Sequence, residues 1–253
     1  MVTVTEAQLL AWLNPLLWPF LRTLAVFSAL PVLGTRTVPL RVRIGLAALA
    51  ALAAQPSLPP MPVVPLDSPL AFALVAQQVV IGLAIGFAVR VVFAAVEFAG
   101  EFVGLQMGLN FAGFFDPVTA SAGTATGRFY GTMVAWLFIV VDGHLLVLAA
   151  LMQSFAIFAV GPEPFAFVQR TLPHQWGAEI FRIGLWIALP LISMLLFVNL
   201  VLGVIARVAP QINIFAIGFP VTLGVGLVGM LATLPLLAQP FTFALERLLD
   251  SFR

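Results

Sequence analysis

Apolar residues run along this chain in blocks of uneven length, and most polar residues fall at the joints between them. Residues 7–34 form a first block, interrupted by Arg22. Residues 44–54, IGLAALAALAA, form a second that is too short to span a bilayer at about 1.5 Å per residue. The stretch 55–69, QPSLPPMPVVPLDSP, is proline-rich and cannot be a helix interior. A span-length block from Leu70 to Val89 continues beyond Arg90 through an apolar segment carrying Glu97 and Glu101. DPVTASAGTATG, 116–127, reads as a loop. Residues 129–160 are apolar but broken at Asp142-Gly143-His144, a polar connector covers 161–182, and two long blocks follow at 183–206 and 208–245. The pattern predicts about six hydrophobic helical segments arranged in hairpins, an all-α integral membrane protein.

Composition agrees with the pattern. The chain is 62% hydrophobic and 8% charged, with a mean hydropathy of +1.14, whereas a soluble domain carries about a quarter charged residues. All 11 cationic residues are arginine, and the net charge of +1 provides no basic field for nucleic acid. The absence of cysteine excludes disulfides, thiolate metal sites and a cysteine nucleophile. The first charge is Glu6 and the first cation Arg22, so the basic region of a cleavable signal peptide is missing and the first hydrophobic segment is expected to be retained. Arg36, Arg41 and Arg43 place the 35–43 loop in the cytoplasm and residues before it outside. Six alternating crossings then leave Arg207 on the wrong side. Arg22, Arg90, Glu97, Glu101, Asp142 and Arg207 all interrupt apolar segments, where an unsheltered charge costs roughly 2.5 kcal/mol or more. Either they snorkel from helix ends or protein and water surround them.

Small residues recur at helical spacing. Gly100, Gly104 and Gly108 lie four apart, as do Gly123, Gly127 and Gly131, and Gly82 pairs with Gly86. On a helix each set shares one face where another backbone can approach, which predicts a tightly packed bundle. Catalytic signatures are missing: there is no H-E-x-x-H, no G-x-S-x-G and no phosphate-cradling glycine loop. His144 and His174 are far apart and lack a nearby ligand set, so no metal, cofactor or catalytic residue is expected. Glu97 and Glu101, one turn apart, are expected to be buried charges, and they suit either a proton-carrying pair or a wet, arginine-paired interface. At 207–213 the chain reverses between two long apolar blocks. Pro210 cannot continue a helix, and Gln211 and Asn213 offer amides to cap exposed backbone groups, so the stretch reads as the tip of a helical hairpin with Arg207 beside it.

Three stretches carry a resemblance: APQINIFAIGFPVTL at 209–223, GEFVGLQMGLNFAGFFDP at 100–117 and QQVVIGLAIGF at 77–87, with LPVLGTRTVPLRVRIGLA at 30–47 beside them. Together they closely resemble the FliR family of flagellar export-gate proteins, called SctT in injectisomes, over essentially the whole chain. The resemblance implies a FliP-like part over 1–182 joined to a FliQ-like helical hairpin over 183–253. One copy would assemble with FliP-like and FliQ-like subunits, beside FlhB-like and FlhA-like export components. The setting would be the bacterial inner membrane within the flagellar basal body. The assembly would be a conduit for unfolded flagellar subunits and not an enzyme. An injectisome gate subunit and a proton-coupled secondary transporter are the alternatives. The resemblance further implies that a loop within 104–117 lies across the pore as a plug or gasket. Met107, Phe111, Phe114 and Phe115 would form its soft, bulky surface and Asp116-Pro117 its terminating turn. By composition the same methionine and phenylalanines suit ordinary bundle core.

Overall fold

The computed structural model describes residues 6–35, 37–109, 124–161, 167, 171, 173–211 and 213–253. Eight α-helices have bounds within them: α1 Glu6–Ala29, α2 Leu40–Ala54, α3 Pro69–Gln106, α4 Ala125–Val140, α5 Gly143–Ile157, α6 Trp176–Val208, α7 Ile214–Thr233 and α8 Ala238–Leu249. No β-strand occurs among the described residues. An apolar chain must satisfy its backbone internally, and the helix does this within a single segment.

Several boundaries differ from expectation. The block at 70–89 and its charged continuation form one 38-residue helix, because Arg90, Glu97 and Glu101 are all compatible with helical backbone. The helix expected at 183 begins at Trp176, so the polar connector is shorter than its composition suggested. The 208–245 block breaks into 3₁₀ geometry at Leu234–Leu237, where Pro235 removes a donor. Among the described residues three helical stretches are long and apolar enough to cross a membrane: Pro69–Gln106, Trp176–Val208 and Ala216–Phe252. The broken pair α4–α5 makes a fourth if taken as one span. Three or four stretches of spanning length and apolarity among the described residues compare with the six alternating crossings that the sequence pattern suggested. The break between α4 and α5 falls at Asp142, as predicted, with φ 54° in the left-handed region that Asp tolerates better than bulky residues.

The chain divides into two compact units. One comprises 1–90, 142–176 and 245–253. Within it Trp18, Val64, Ala71 and Leu74 form a buried cluster. The proline-rich 58–68 stretch has few helical donors for its carbonyls, and α1 supplies two: Asn14 Nδ2 donates to Val64 O at 3.0 Å and Trp18 Nε1 to Pro62 O at 3.2 Å. Gly82 and Gly86 take α3 close to α1. A β-carbon at Gly82 would lie 2.7 Å from Ala25 Cβ, and one at Gly86 would lie 3.1 Å from the Val26 carbonyl oxygen. This pair is a close backbone crossing, as its spacing implied. Phe158, Phe167, Trp176 and Phe252 pack as an aromatic cluster with centroids 5.7–6.4 Å apart.

The second unit comprises 91–141 and 177–244. The end of α3 is a Schellman turn: Leu109 N donates to Gly104 O at 3.0 Å and Gly108 N to Leu105 O at 3.1 Å, with Gly108 at φ 80°. Phe93 stands edge-on to Phe138 and Phe241 in its core.

Candidate functional site: a glycine seam, a helix hairpin and a buried arginine

The seam lies between the C-terminal part of α3 and α4, the two helices that flank 107–124. At Gly100 the α4 backbone comes so close that a β-carbon would lie 2.8 Å from Thr126 O and 2.9 Å from Tyr130 Cβ. Gly104 faces the Thr126 hydroxyl. From the other side, Gly127 and Gly131 leave notches that receive the side chains of Glu101 and Glu97. The spacing 101 to 127 and 97 to 131 is that of antiparallel helices. Glu101 also accepts a hydrogen bond from Thr124 N at 3.0 Å. Thr124 in turn caps α4 by accepting from Gly127 N at 3.0 Å. A carboxylate at the positive end of a helix is favourably placed.

Two expectations are corrected here. Gly108 is not a member of the packing face with Gly100 and Gly104, because the helix has ended and the residue serves the left-handed turn. Glu97 and Glu101 are not buried charges: Glu97 is exposed and Glu101 half-buried, each laid along a glycine notch at the seam's edge. A third correction concerns Met107. It is fully buried, and its thioether fills the space over Gly226 of α7, so in the chain alone it is packing and not a surface offered to a lumen. Phe111, Phe114, Phe115, Asp116 and Pro117 lie outside the described residues.

The chain turns between the end of α6 at Val208 and the start of α7 at Ile214. Ala209 N donates to Ile205 O at 2.8 Å, Pro210 stops α6, and Asn213 Oδ1 accepts from Ala216 N at 3.3 Å as the N-cap of α7. Gln211 is exposed. Leu191 and Met194 of α6 fill the notch at Gly229 of α7, and residues 191 and 229 are equidistant in sequence from Pro210. Arg207 sits exposed in the last turn of α6, where a cation complements the helix dipole. That placement removes the difficulty of an arginine stranded inside an apolar run.

Of the six interrupting charges only Arg22 is buried in protein; Arg90 and Asp142 are exposed. Arg22 has no exposed surface. Its Nε donates to Gln78 Oε1 at 2.9 Å, Nη1 to Ser154 Oγ at 3.0 Å and Nη2 to Phe158 O at 2.9 Å, and its guanidinium carbon lies 3.8 Å from the centroid of the Phe155 ring. Gln78 is held by Gln77, which accepts from Gly161 N at 3.3 Å. All four of these partners are neutral. Sequence reasoning marked Arg22 as an interruption but did not find its partners, which stand 56, 132 and 136 residues away. The Gln77-Gln78 pair within an apolar helix was the available signal. Among the described residues no cluster of three or more His, Asp or Glu is placed to hold a metal.

These features define a helical membrane protein whose distinguishing parts are packing seams and an exposed hairpin. Residues 13–248 match the family described as Bacterial export proteins, family 1. The chain is 46% identical over 244 residues to the flagellar biosynthetic protein FliR of Escherichia coli strain K12, covering 95% of this chain and 92% of that protein. It is 39% identical over 241 residues to FliR of Pectobacterium carotovorum, with the same coverages, and 29% identical over 216 residues to FliR of Bacillus subtilis, covering 83% and 82%. The chain belongs to this bacterial export family, the FliR family. It is a membrane subunit of the flagellar export apparatus, which sets aside the injectisome and secondary-transporter alternatives.

Proposed function

We propose that the chain forms part of the channel through which unfolded flagellar subunits cross the inner membrane, assembled as one copy with FliP-like and FliQ-like subunits in the basal body. It acts as conduit and not as enzyme, next to FlhB-like and FlhA-like components. The observation that carries this reading is the α6–α7 hairpin. Phe197, Leu200, Val204 and Val208 on α6 and Ile217 and Phe219 on α7 are all exposed, and a side chain at Gly203 or Gly224 would meet nothing within 4 Å. An apolar hairpin open on so many sides, with a polar tip, suits coverage by other helices better than a self-contained fold. The 183–253 part is then the FliQ-like hairpin and 1–182 the FliP-like part. Affinity recovery of the tagged chain with mass spectrometry tests this: FliP-like and FliQ-like chains should come with it. Recovery of the chain alone or as a symmetric homo-oligomer overturns the proposal.

Replacing Gln211 and Asn213 together by leucine removes the α7 cap, worth about 1 kcal/mol, and both tip amides. The expected outcome is reduced recovery of partner subunits from detergent extracts, with unchanged recovery counting against a role for the tip.

The plug reading keeps the segment after Met107, with Phe111, Phe114 and Phe115 as its bulk. The Schellman turn at Gly108 and the Glu101–Thr124 bond are fixed points on either side of it. Deleting 110–115 leaves both intact. The deletion should assemble with its partners yet leak ions, read as conductance or slowed growth on co-expression. An assembled, ion-tight deletion complex would place the seal elsewhere.

A further inference from the structure

Between Arg182 and Arg207, α6 runs through 24 residues without a charge, and Asn199 is the one side-chain amide among them. The segment is about 36 Å long at about 1.5 Å per residue. Any hydrocarbon layer of about 30 Å laid along it therefore includes residue 199, roughly 5–10 Å inside the nearer edge. Asn199 is exposed, and its amide has no hydrogen-bond partner among the described residues. Hydroxyls in the following helix need no outside partner: Thr222 Oγ1 donates to Gly218 O at 3.0 Å and Thr233 Oγ1 to Gly229 O at 2.9 Å, each within its own turn. A carboxamide carries two N–H donors and an acceptor oxygen, so it cannot be satisfied in that way. The residues that share its face are apolar or small. Leu195 is buried, Leu196 is 52% exposed, and a β-carbon at Gly203 would meet nothing within 4 Å.

Those neighbours decide what lies against the amide. A water-lined surface would gather further polar side chains around it, and this face has none. Lipid tails would cover the leucines but supply neither donor nor acceptor, and an amide left unpaired in hydrocarbon is costly. A helix carrying a polar side chain supplies both. The missing side chain at Gly203, one turn on and on the same face, lets such a helix come near enough for a short amide to reach it. We propose that Asn199 is the hydrogen-bonding anchor of a helix–helix contact, in which a helix of a neighbouring gate subunit crosses α6 at Asn199 and Gly203 and presents an Asn, Gln, Ser or Thr side chain to the Asn199 amide. The inference rests on the assembled gate of the proposed function and deepens it, because it gives the chemistry of the partner at one point of an otherwise apolar hairpin.

Recovery of partner subunits with the tagged chain, at matched amounts of the chain in the membrane, is the first measurement. Asn199→Leu keeps the bulk and removes the hydrogen bond. The position is exposed in the chain alone, so the variant should reach the membrane at the normal level. Partner recovery should fall about three- to tenfold, the range of one interhelical hydrogen bond in a membrane. Asn199→Gln, which keeps the amide, should restore part of the loss, and Gly203→Leu, which keeps the amide but blocks close approach, should reproduce it. Normal recovery with Asn199→Leu overturns the anchor. The second measurement leaves Asn199 in place. The chain contains no cysteine, so Leu196→Cys, one turn before it, creates a unique thiol that can carry a short diazirine label. Photolysis of the purified, assembled gate should attach the label to a helix of a partner subunit within one turn of an Asn, Gln, Ser or Thr. Attachment only to lipid, to a second copy of this chain, or to a partner stretch without such a residue overturns the anchor. If the unaltered chain recovers its partners in those cases, the gate assignment stands and the anchor alone fails. If it recovers none, the gate assignment fails and the anchor with it.

Discussion

Arg22→Leu is expected to leave the chain unable to hold its first compact unit together, with loss of swimming and of detergent-stable protein. The guanidinium stays protonated in proteins, so this is a true buried charge. It is held by the Gln78 and Ser154 side chains, the Phe158 carbonyl and the face of Phe155. No carboxylate is among those partners, so Coulomb attraction does not offset its desolvation. Hydrogen bonds and the cation–π contact, about 2 kcal/mol where desolvated, must do so. Removing the cation leaves the Phe158 carbonyl and the Gln78 amide oxygen without it, at about 1–3 kcal/mol for each buried acceptor left unpaired. For the two acceptors that is about 2–6 kcal/mol, which reaches the lower end of the stability of an ordinary domain, about 5–15 kcal/mol. Arg22→Lys separates charge from geometry. An ammonium keeps the charge but cannot fork to acceptors contributed by α3 and α5 and the residue following α5, so the variant should fall between the two. Limited proteolysis and thermal aggregation in detergent are the measurements. An Arg22→Leu protein as stable as the unaltered chain would show that the knot contributes nothing net.

The difference between what sequence revealed and what it hid follows from the range of each interaction. Local backbone chemistry was legible. Pro210 and Asn213 mark the turn between α6 and α7, the prolines of 55–69 end α2 and leave only a 3₁₀ turn at Gln55–Ser57 before the next helix starts at Pro69, and Asp142-Gly143 marks a break, because each acts on its own few residues. Gly82, Gly86, Gly100 and Gly104 each have atoms of another helix against them, and their spacing did not say which neighbour arrives. It also mistook Gly108, since a turn glycine and a packing glycine look alike in sequence until the helix end is known. The partners of Arg22 were hidden because Ser154 and Phe158 are ordinary residues that matter only where a distant helix delivers them. Glu97 and Glu101 read as buried because apolar neighbours surround them in sequence, whereas the glycines of α4 let them lie along the seam's edge.

The same distinction, between a glycine with backbone against it and one without, makes Gly100 a sharper test than Gly104. At Gly104 the obstructing group is the Thr126 hydroxyl, and a threonine side chain can turn aside. At Gly100 the nearest atom is the Thr126 carbonyl oxygen, 2.8 Å from where a β-carbon would stand, with Tyr130 Cβ at 2.9 Å. Neither can move without moving α4. Gly100→Val therefore must separate the helices, with an overpacking cost of about 1–3 kcal/mol or more. Opening the seam there also draws Glu101 away from Thr124 N, one residue along α3, and so releases the cap that fixes the start of α4. Gly45 is the matched control, because a β-carbon there meets nothing within 4 Å. Gly45→Ala should be neutral or gain up to about 1 kcal/mol from helix propensity. The expected order of motility and of partner recovery is Gly45→Ala equal to the unaltered chain, Gly104→Ala reduced and Gly100→Val lost. Swimming by the Gly100→Val strain at the normal rate would mean that α3 and α4 are not in this contact in the working gate.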